Sequence, residues 1–266
     1  MRKLARPHEP EKFTAGVADF YAENQTRTYA TAGKKWQAFR DEQPMAYKAA
    51  CDCLHANQQG LCAYCEADLK ENNRQIEHVI PKSCADADWT LNFANYLLCC
   101  LGGTKTYAGE EDEYLPGAKN DGNISCGSKK GEKDPRNGLI TPHTLPRTPV
   151  LKSFPHPDNG VCLSADEDAC SNMGIDPHVV NATIEALGLN CARLRLSRQK
   201  VWNIMRDEFT KLANSTSPSE LDDLRRELSR EFLEPVAGKL PQYITTRILH
   251  LEEYLPQLEL IDMARL

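Results

Sequence analysis

Apolar residues near the start of the chain recur at the spacing of amphipathic helices. Over 10–21 and again over 34–40, phenylalanine, tyrosine and tryptophan return at helical intervals, which predicts two helices. A third helix is predicted to begin at Pro44, because proline is tolerated in the first turn, and to end before Gly60. Residues 1–60 are therefore expected to form a helical leader.

Helical signals return at Asp176 and continue towards the C-terminus. Asp176 is followed by proline, which is the pattern of an N-cap and a first helical position. Asn190 is predicted to cap the next helix, and residues 217–220 have the sequence of a capping box with proline inside it. A last helix is predicted over 242–254, so 176–266 is expected to be a helical region.

The middle of the chain lacks helical periodicity. Residues 61–140 are predicted to form one compact module that is rich in cysteine. Within it, 101–125 is polar, acidic and longer than an ordinary connection, which indicates an insertion. The next stretch, 141–175, has many prolines and few periodic apolar positions, which predicts an irregular connection. The predicted fold class is α+β and mostly helical, with the small module embedded between the leader and the helical C-terminal half.

The composition is that of a soluble globular protein. The chain has 266 residues, of which 41% are hydrophobic and 26% charged. A chain of this length can bury a hydrophobic core that is stable without disulfide bonds. No apolar run approaches the roughly 20 residues of a membrane span, and no apolar segment follows the basic N-terminus as in a secretory signal. We therefore expect a cytoplasmic protein without membrane contact. The formal net charge of −6 argues against holding nucleic acid by bulk charge alone.

The chain contains eleven cysteines, an odd number without an export signal, which argues against a disulfide framework. Seven of them lie from Cys51 to Cys100, and an eighth is Cys126. Clustered cysteines in a cytosolic protein more often bind metal, so this density indicates zinc. Six cysteines are instead expected to be small buried apolar residues: Cys51, Cys53, Cys84, Cys162, Cys170 and Cys191.

Cys62 and Cys65 form a C-x-x-C pair whose two thiolates can bind one tetrahedral ion. A redox pair has the same spacing. Cys100 and Cys126 complete a set of four if the acidic insertion separates ligands that are otherwise close in sequence, with Cys99 as the alternative to Cys100. A zinc ion held by four thiolates has no open position for chemistry, so this site is expected to be structural.

A second group of chemically active residues lies between the two halves of the cysteine set. Glu77 and His78 stand at the end of a short β-branched run that Pro81 terminates. A carboxylate beside a histidine can bind a hard divalent cation and supply a base, and phosphodiester hydrolysis needs both. A structural histidine is the alternative for His78 taken alone.

At these positions the chain resembles the HNH endonucleases, in the zinc-ribbon form of their ββα-metal motif. The resemblance rests on these residues: Cys62 and Cys65, Glu77-His78 with Pro81, Asn95 five residues before Cys100, and Cys126 with Lys130-Gly131. The start of the leader and the stretch 183–198 are similar to one subfamily. This subfamily comprises the HNH partner proteins of Septu-type anti-phage systems, including those associated with retrons.

The resemblance implies a role for each matching residue. His78 would be the general base that activates water, Glu77 a ligand of a catalytic Mg²⁺ or Mn²⁺, and Asn95 the residue that holds the histidine-bearing loop. The structural zinc would be held by four cysteines: Cys62, Cys65, Cys100 and Cys126.

One position departs from the family pattern. The residue directly after the last cysteine is usually a histidine or asparagine that binds the catalytic metal, and this chain has Gly127. The second protein ligand is therefore unassigned, with Asn123, Asp134 and His143 as unranked candidates.

The resemblance implies a metal-dependent endonuclease that cuts DNA or RNA as the nuclease effector of an anti-phage defence complex. The expected partners are an ABC/SMC-like ATPase of the same system and, in a retron, the reverse transcriptase with its msDNA. Two other functions fit part of the sequence. A zinc-ribbon adaptor would organise the complex without hydrolysis, and a thiol oxidoreductase would use a reactive Cys62.

Overall fold

The computed structural model describes residues 1–104, 123–157, 159–215 and 218–254 of the chain. These residues form nine α-helices and two antiparallel sheets of two strands each, which makes the fold α+β. Most of the acidic insertion predicted over 101–125 lies outside the described residues. In the described part, no helix combines the length and the apolar character that crossing a membrane requires.

The leader contains three helices, in agreement with the sequence prediction: α1 (Glu11–Glu23), α2 (Ala32–Glu42) and α3 (Pro44–Asn57). Helix α1 packs against α3 at Gly16, where a Cβ atom would overlap the side chain of Ala46. This close approach of the two backbones therefore requires a glycine at that position.

Aromatic side chains join the leader to the cysteine-rich module. Phe13 of α1 is fully buried, and its ring centroid lies 5.6 Å from that of Phe39, 5.5 Å from Phe93 and 5.7 Å from Tyr96. Tilted and edge-to-face contacts of this kind add to the gain from burying apolar area. Leader and module therefore share one core, which lies on the side of the module that carries the His78 ring.

The module has the element order strand, strand, helix. Strand β1 (Gln75–His78) pairs antiparallel with β2 (Tyr96–Cys99), so that the last residue of β1 faces the first residue of β2. The loop 79–95 joins the two strands. Helix α4 (Cys126–Lys130) is a single short turn of helix that follows them in the chain.

Part of the predicted irregular connection is a β-hairpin. Strand β3 (Leu151–Pro155) pairs antiparallel with β4 (Val161–Ala165), and the short helix α5 (Glu167–Asn172) follows. The prediction of irregular structure over 141–175 is wrong in this part. Nearly every residue of β4 is buried, because the strand packs against helices as well as β3, so its sequence shows no alternating pattern.

The C-terminal half is helical, as predicted. Its helices are α6 (Pro177–Ala186), α7 (Ala192–Ser215), α8 (Pro218–Leu233) and α9 (Ile244–Tyr254). Asp176 caps α6, since its side chain accepts a hydrogen bond from the His178 amide at 2.8 Å. Helix α8 begins at the proline of the predicted capping box.

The prediction that Asn190 caps α7 is wrong. Its side-chain amide pairs with β4, accepting a hydrogen bond from the Leu163 amide and donating one to the Leu163 carbonyl, both at 2.8 Å. Asn181 accepts a further bond from the Ala165 amide at 2.9 Å. Buried backbone groups need partners, and these asparagines supply them on the strand edge that β3 leaves open.

Candidate metal centre and active site

The structure brings together the four cysteines that the sequence predicts as zinc ligands. All four are buried, and their sulfur atoms lie within 4.8 Å of one another. The Sγ atoms of Cys62 and Cys126 are 3.8 Å apart, those of Cys65 and Cys100 3.7 Å, and those of Cys100 and Cys126 3.6 Å. A tetrahedral zinc with Zn–S bonds of about 2.3 Å places its sulfurs about 3.8 Å apart. The residues therefore fit a structural zinc.

Backbone hydrogen bonds position the cysteines around the cluster. The Cys100 amide at the end of β2 donates to the Cys62 sulfur at 3.4 Å. Cys126 opens α4 with a φ of +58°, and its amide donates to the Leu187 carbonyl at 2.7 Å. Burial opposes ionisation of the Cys62 thiol, but hydrogen bonds with Cys100 and Cys126 outweigh it and hold its pKa well below the usual value. Hydrogen bonds with Cys100 instead raise the pKa values of the Cys65 and Cys126 thiols well above it. Without a cation the cluster therefore favours only one thiolate, and a bound metal ion would stabilise the others.

The cluster also decides between the two adjacent cysteines at the end of β2. The Cys100 sulfur belongs to the cluster, whereas the Cys99 sulfur accepts a long hydrogen bond from Gln75 at 3.8 Å. Successive residues of a strand point to opposite faces, so only one of the pair can reach the other three thiols. None of the six cysteines predicted as core residues belongs to the described cluster, and four of those six are buried.

Arg193 of α7 supplies positive charge beside the cluster. Its guanidinium donates to the Ser125 hydroxyl at 2.7 Å, and its backbone amide donates to Asn123 Oδ1 at 3.1 Å. Burial lowers the pKa of Arg193, but the nearby thiols of Cys65 and other cysteines outweigh burial and raise it. A zinc with four thiolates carries net negative charge, which this half-buried arginine would balance. Nothing in the local sequence around Arg193 indicates this contact.

Glu77 is enclosed by two other residues of the module. Its Oε1 atom lies 3.0 Å from the Lys130 ammonium, and Lys130 is only 4% exposed. Its Oε2 atom lies against Gly127, where the Cβ of any other residue would overlap it. Burial raises the pKa of Glu77, while the Lys130 charge acts in the opposite direction. The glycine that departs from the family pattern therefore leaves room for the Glu77 carboxylate in its present position, and a side chain at 127 would push that carboxylate aside.

His78 lies on the opposite face of β1 from Glu77. Its Nε2 atom donates to the Thr90 carbonyl at 3.0 Å, and its ring makes edge contacts with Trp36 and Tyr96 at centroid distances of 4.7 and 4.9 Å. The residue is 5% exposed, and burial lowers its pKa to about 3. The imidazole is therefore neutral at pH 7, with Nδ1 as the nitrogen that carries a lone pair.

Asn95 fastens the loop that follows His78. Its Oδ1 accepts from the Ile80 amide at 2.7 Å, and its Nδ2 donates to the Ile80 carbonyl at 2.9 Å and to the Trp89 carbonyl at 3.2 Å. The side chain is buried, so these bonds are shielded from water. This geometry holds both ends of the loop at a fixed distance from His78.

The three candidates for a second metal ligand lie elsewhere. Asn123 accepts a hydrogen bond from the Arg193 amide, Asp134 forms an ion pair with Arg136, and the His143 ring contacts the Leu4 carbonyl. Among the described residues, the only group of three or more Cys, His, Asp or Glu ligand atoms that converges is the cysteine cluster. The second ligand of a divalent metal therefore has no assignment in the described residues.

Comparison with known proteins gives the family. The chain is 33% identical over 189 residues to the proposed HNH endonuclease of retron Ec83 from Escherichia coli, with 62% of this chain and 69% of the relative covered. It is 31% identical over 160 residues to the proposed HNH endonuclease of retron Vc95 from Vibrio cholerae serotype O1 biovar El Tor, covering 58% and 63%. No protein-family model matches the chain. The chain belongs to the family of retron HNH endonucleases.

Proposed function

We propose that the chain is an endonuclease that hydrolyses phosphodiester bonds, with His78 as the general base. The observation that carries the proposal is the fixed imidazole: Nε2 is bound to the Thr90 carbonyl, and Asn95 clamps the loop that begins after the histidine. A base has to be neutral and oriented before it can take a proton from water. His78 is neutral and oriented, and its Nδ1 atom would receive that proton. Because a general base works best with a pKa near the working pH, the burial that lowers the pKa of His78 to about 3 would have to be relieved in the complex with substrate.

Glu77 would hold a Mg²⁺ or Mn²⁺ ion in the proposed reaction. Its carboxylate oxygens are the hard ligands that these ions prefer, and Mg²⁺ commonly binds proteins through one or two carboxylates plus water and substrate phosphate. When bound, such an ion neutralises charge on the phosphate and on the leaving 3′ oxygen. Lys130 occupies the cation position beside Glu77 in the structure, so the carboxylate has to exchange one cation for the other.

The cysteine cluster would have no part in the chemistry. Four thiolates complete the coordination of zinc, which leaves no position for water or substrate. In the proposal, zinc fastens the end of β2 to the start of α4 and so keeps Glu77 and Lys130 together. The same sulfur spacing argues against a thiol oxidoreductase. Cys62 and Cys65 are not an isolated pair, because their sulfur atoms lie next to two further thiols of the cluster.

The proposed nuclease acts within a retron defence complex. Support comes from the names of the two relatives and from the net charge of −6, which disfavours strong binding of nucleic acid by the free chain. The proposed partners are an ABC/SMC-like ATPase of the same system and a retron reverse transcriptase with its msDNA. The substrate is DNA or RNA.

The test is cleavage of single-stranded DNA, duplex DNA and a tRNA pool in Mg²⁺ and in Mn²⁺, with and without the neighbouring ATPase. His78→Ala is expected to abolish cleavage while zinc stays bound. His178→Ala is the matched control, since that histidine is exposed at the start of α6. Cleavage by His78→Ala at the parent rate would contradict the proposal.

A zinc-ribbon adaptor is the second candidate, favoured by the burial of His78 and by the Glu77–Lys130 pair. It predicts full zinc occupancy and normal partner binding, with no hydrolysis in any metal. The cleavage experiment with the complete complex separates the two functions.

A further inference from the structure

A cavity of about 340 Å³ borders the loop that Asn95 fastens. It is open to solvent on one side and lined by parts of the loop 79–95, by residues between 135 and 144, and by Arg6 of the leader. Ile80 and Asn95 belong both to the clamp beside His78 and to the lining of this cavity. The cavity is therefore next to the proposed catalytic loop, and none of the roles assigned above uses it.

One part of the lining is aromatic and held in place. The Trp89 indole donates to Asp86 at 2.9 Å, and the Arg136 guanidinium carbon lies 5.6 Å from the Trp89 ring centroid. Arg136 is itself paired with Asp86 and Asp134, so its charge is already balanced. Flat aromatic and guanidinium groups are the surfaces on which proteins stack unpaired bases. The balanced charge makes this part of the lining better suited to a base than to a phosphate.

His143 adds a hydrogen-bond acceptor to the same lining. Its Nδ1 atom lies 3.2 Å from the Leu4 carbonyl and must donate to it, so Nε2 carries the lone pair of the neutral ring. Nε2 is shielded from solvent and has no hydrogen-bond partner among the described residues. A buried polar atom without a partner is costly. It would be satisfied by an N–H group, which bases carry and phosphates do not.

We infer that this cavity binds one unpaired base of a single-stranded nucleic acid beside the bond that is cut. The base stacks on Trp89, while the exposed Arg6 is available to the neighbouring phosphate. A small shift of the lining would uncover His143 Nε2, to which the base then presents an amino group. A base inside a duplex has its edge paired and its faces stacked, so it could enter only after being flipped out, which costs pairing and stacking energy that an unpaired base does not pay. This inference rests on the proposed nuclease function, and it identifies the substrate of that nuclease as a single-stranded nucleic acid.

Binding is tested in the complete complex assembled with the catalytically inactive His78→Ala chain, so that no cleavage disturbs the measurement and the weak binding expected of the free chain does not decide it. Fluorescence anisotropy compares labelled single-stranded DNA and RNA with a duplex of the same sequence. Single strands are expected to bind more tightly than the duplex. Adding Trp89→Ala is expected to weaken single-strand binding about tenfold, because loss of a stacking ring costs that order of affinity. Trp89→Phe keeps a ring and is expected to stay within about threefold of the parent.

Zinc content and the circular dichroism of each variant show whether it is folded. Equal affinity of Trp89→Ala and the parent, tighter binding of the duplex, or no binding of any oligonucleotide would each overturn the cavity as a base site. These outcomes leave the cleavage test of His78→Ala unaffected. Conversely, oligonucleotide binding that depends on Trp89 without cleavage by the complete complex would remove the nuclease proposal and keep the base site.

Discussion

Glu66 and Thr245 are 179 residues apart in the chain and share two buried hydrogen bonds. Glu66 accepts from the Thr245 hydroxyl at 2.6 Å and from the Thr245 amide at 2.9 Å. The amide lies in the first turn of α9, where a carboxylate is favoured by the helix dipole. Because Glu66 directly follows Cys65, this contact fastens the last described helix to the cysteine cluster.

Glu66→Gln is expected to lower the free energy of unfolding by about 3 kcal/mol. The Glu66 carboxylate lies 3.1 Å from the Met1 amino group, and both groups are nearly inaccessible to solvent. Removing one charge of a buried pair leaves the other uncompensated, which costs about 3–5 kcal/mol. Urea denaturation measures the change, with the exposed Glu71→Gln as the control. Equal midpoints for the two variants would show that the pair does not stabilise the fold.

Cys65→Ser is expected to lose the zinc ion and to unfold the module around it. A serine hydroxyl is a poor zinc ligand, and the remaining three thiols cannot complete the tetrahedron. Metal analysis of the purified protein measures zinc, and circular dichroism measures folding. Cys53→Ser, outside the cluster, is expected to keep about one zinc ion per chain. Full zinc occupancy in Cys65→Ser would exclude this ligand set.

Lys130→Met is expected to destabilise the protein by about 3 kcal/mol, because it removes the ammonium group paired with the buried Glu77 carboxylate and leaves only the charge of Lys82 nearby. Added Mn²⁺ is expected to restore part of this loss by taking the place of the ammonium group. Thermal unfolding with and without Mn²⁺ measures both effects. Lys129→Met removes an exposed lysine of the same helix and serves as the control. A melting temperature of Lys130→Met that does not respond to Mn²⁺ would argue against metal binding at Glu77.

Asn95→Ala is expected to reduce cleavage by the complete complex at least tenfold, on the order of 1.4 kcal/mol in the activation barrier. It removes the three hydrogen bonds that hold Ile80 and Trp89, so the loop after His78 loses its fixed position. Zinc content is expected to be unchanged. Asn203→Ala on α7 is the control, and an identical cleavage rate in both variants would remove Asn95 from the proposed site.

Much of the fold could be predicted from short-range patterns in the sequence. The helices beginning at Pro44, at Pro177 and at Pro218 are each marked by proline in the first turn, and the last two also by capping residues. The cysteine quartet could be recognised from its clustered spacing. The helix signals depend on residues within a few positions of one another, so the local sequence is sufficient for them. The cysteine quartet depends on the C-x-x-C pair and on the density of cysteines around it.

The sequence by itself therefore determined most helices, the cysteine set apart from the choice between Cys100 and Cys99, and the family to which the chain belongs. Only the tertiary structure decided that Asn190 pairs with β4, that Cys100 and not the alternative Cys99 belongs to the cluster, and that Lys130 neutralises Glu77. The physical reason is burial. A buried amide, thiol or carboxylate takes whichever partner the packing of distant segments brings to it, and that partner leaves no trace in the neighbouring sequence.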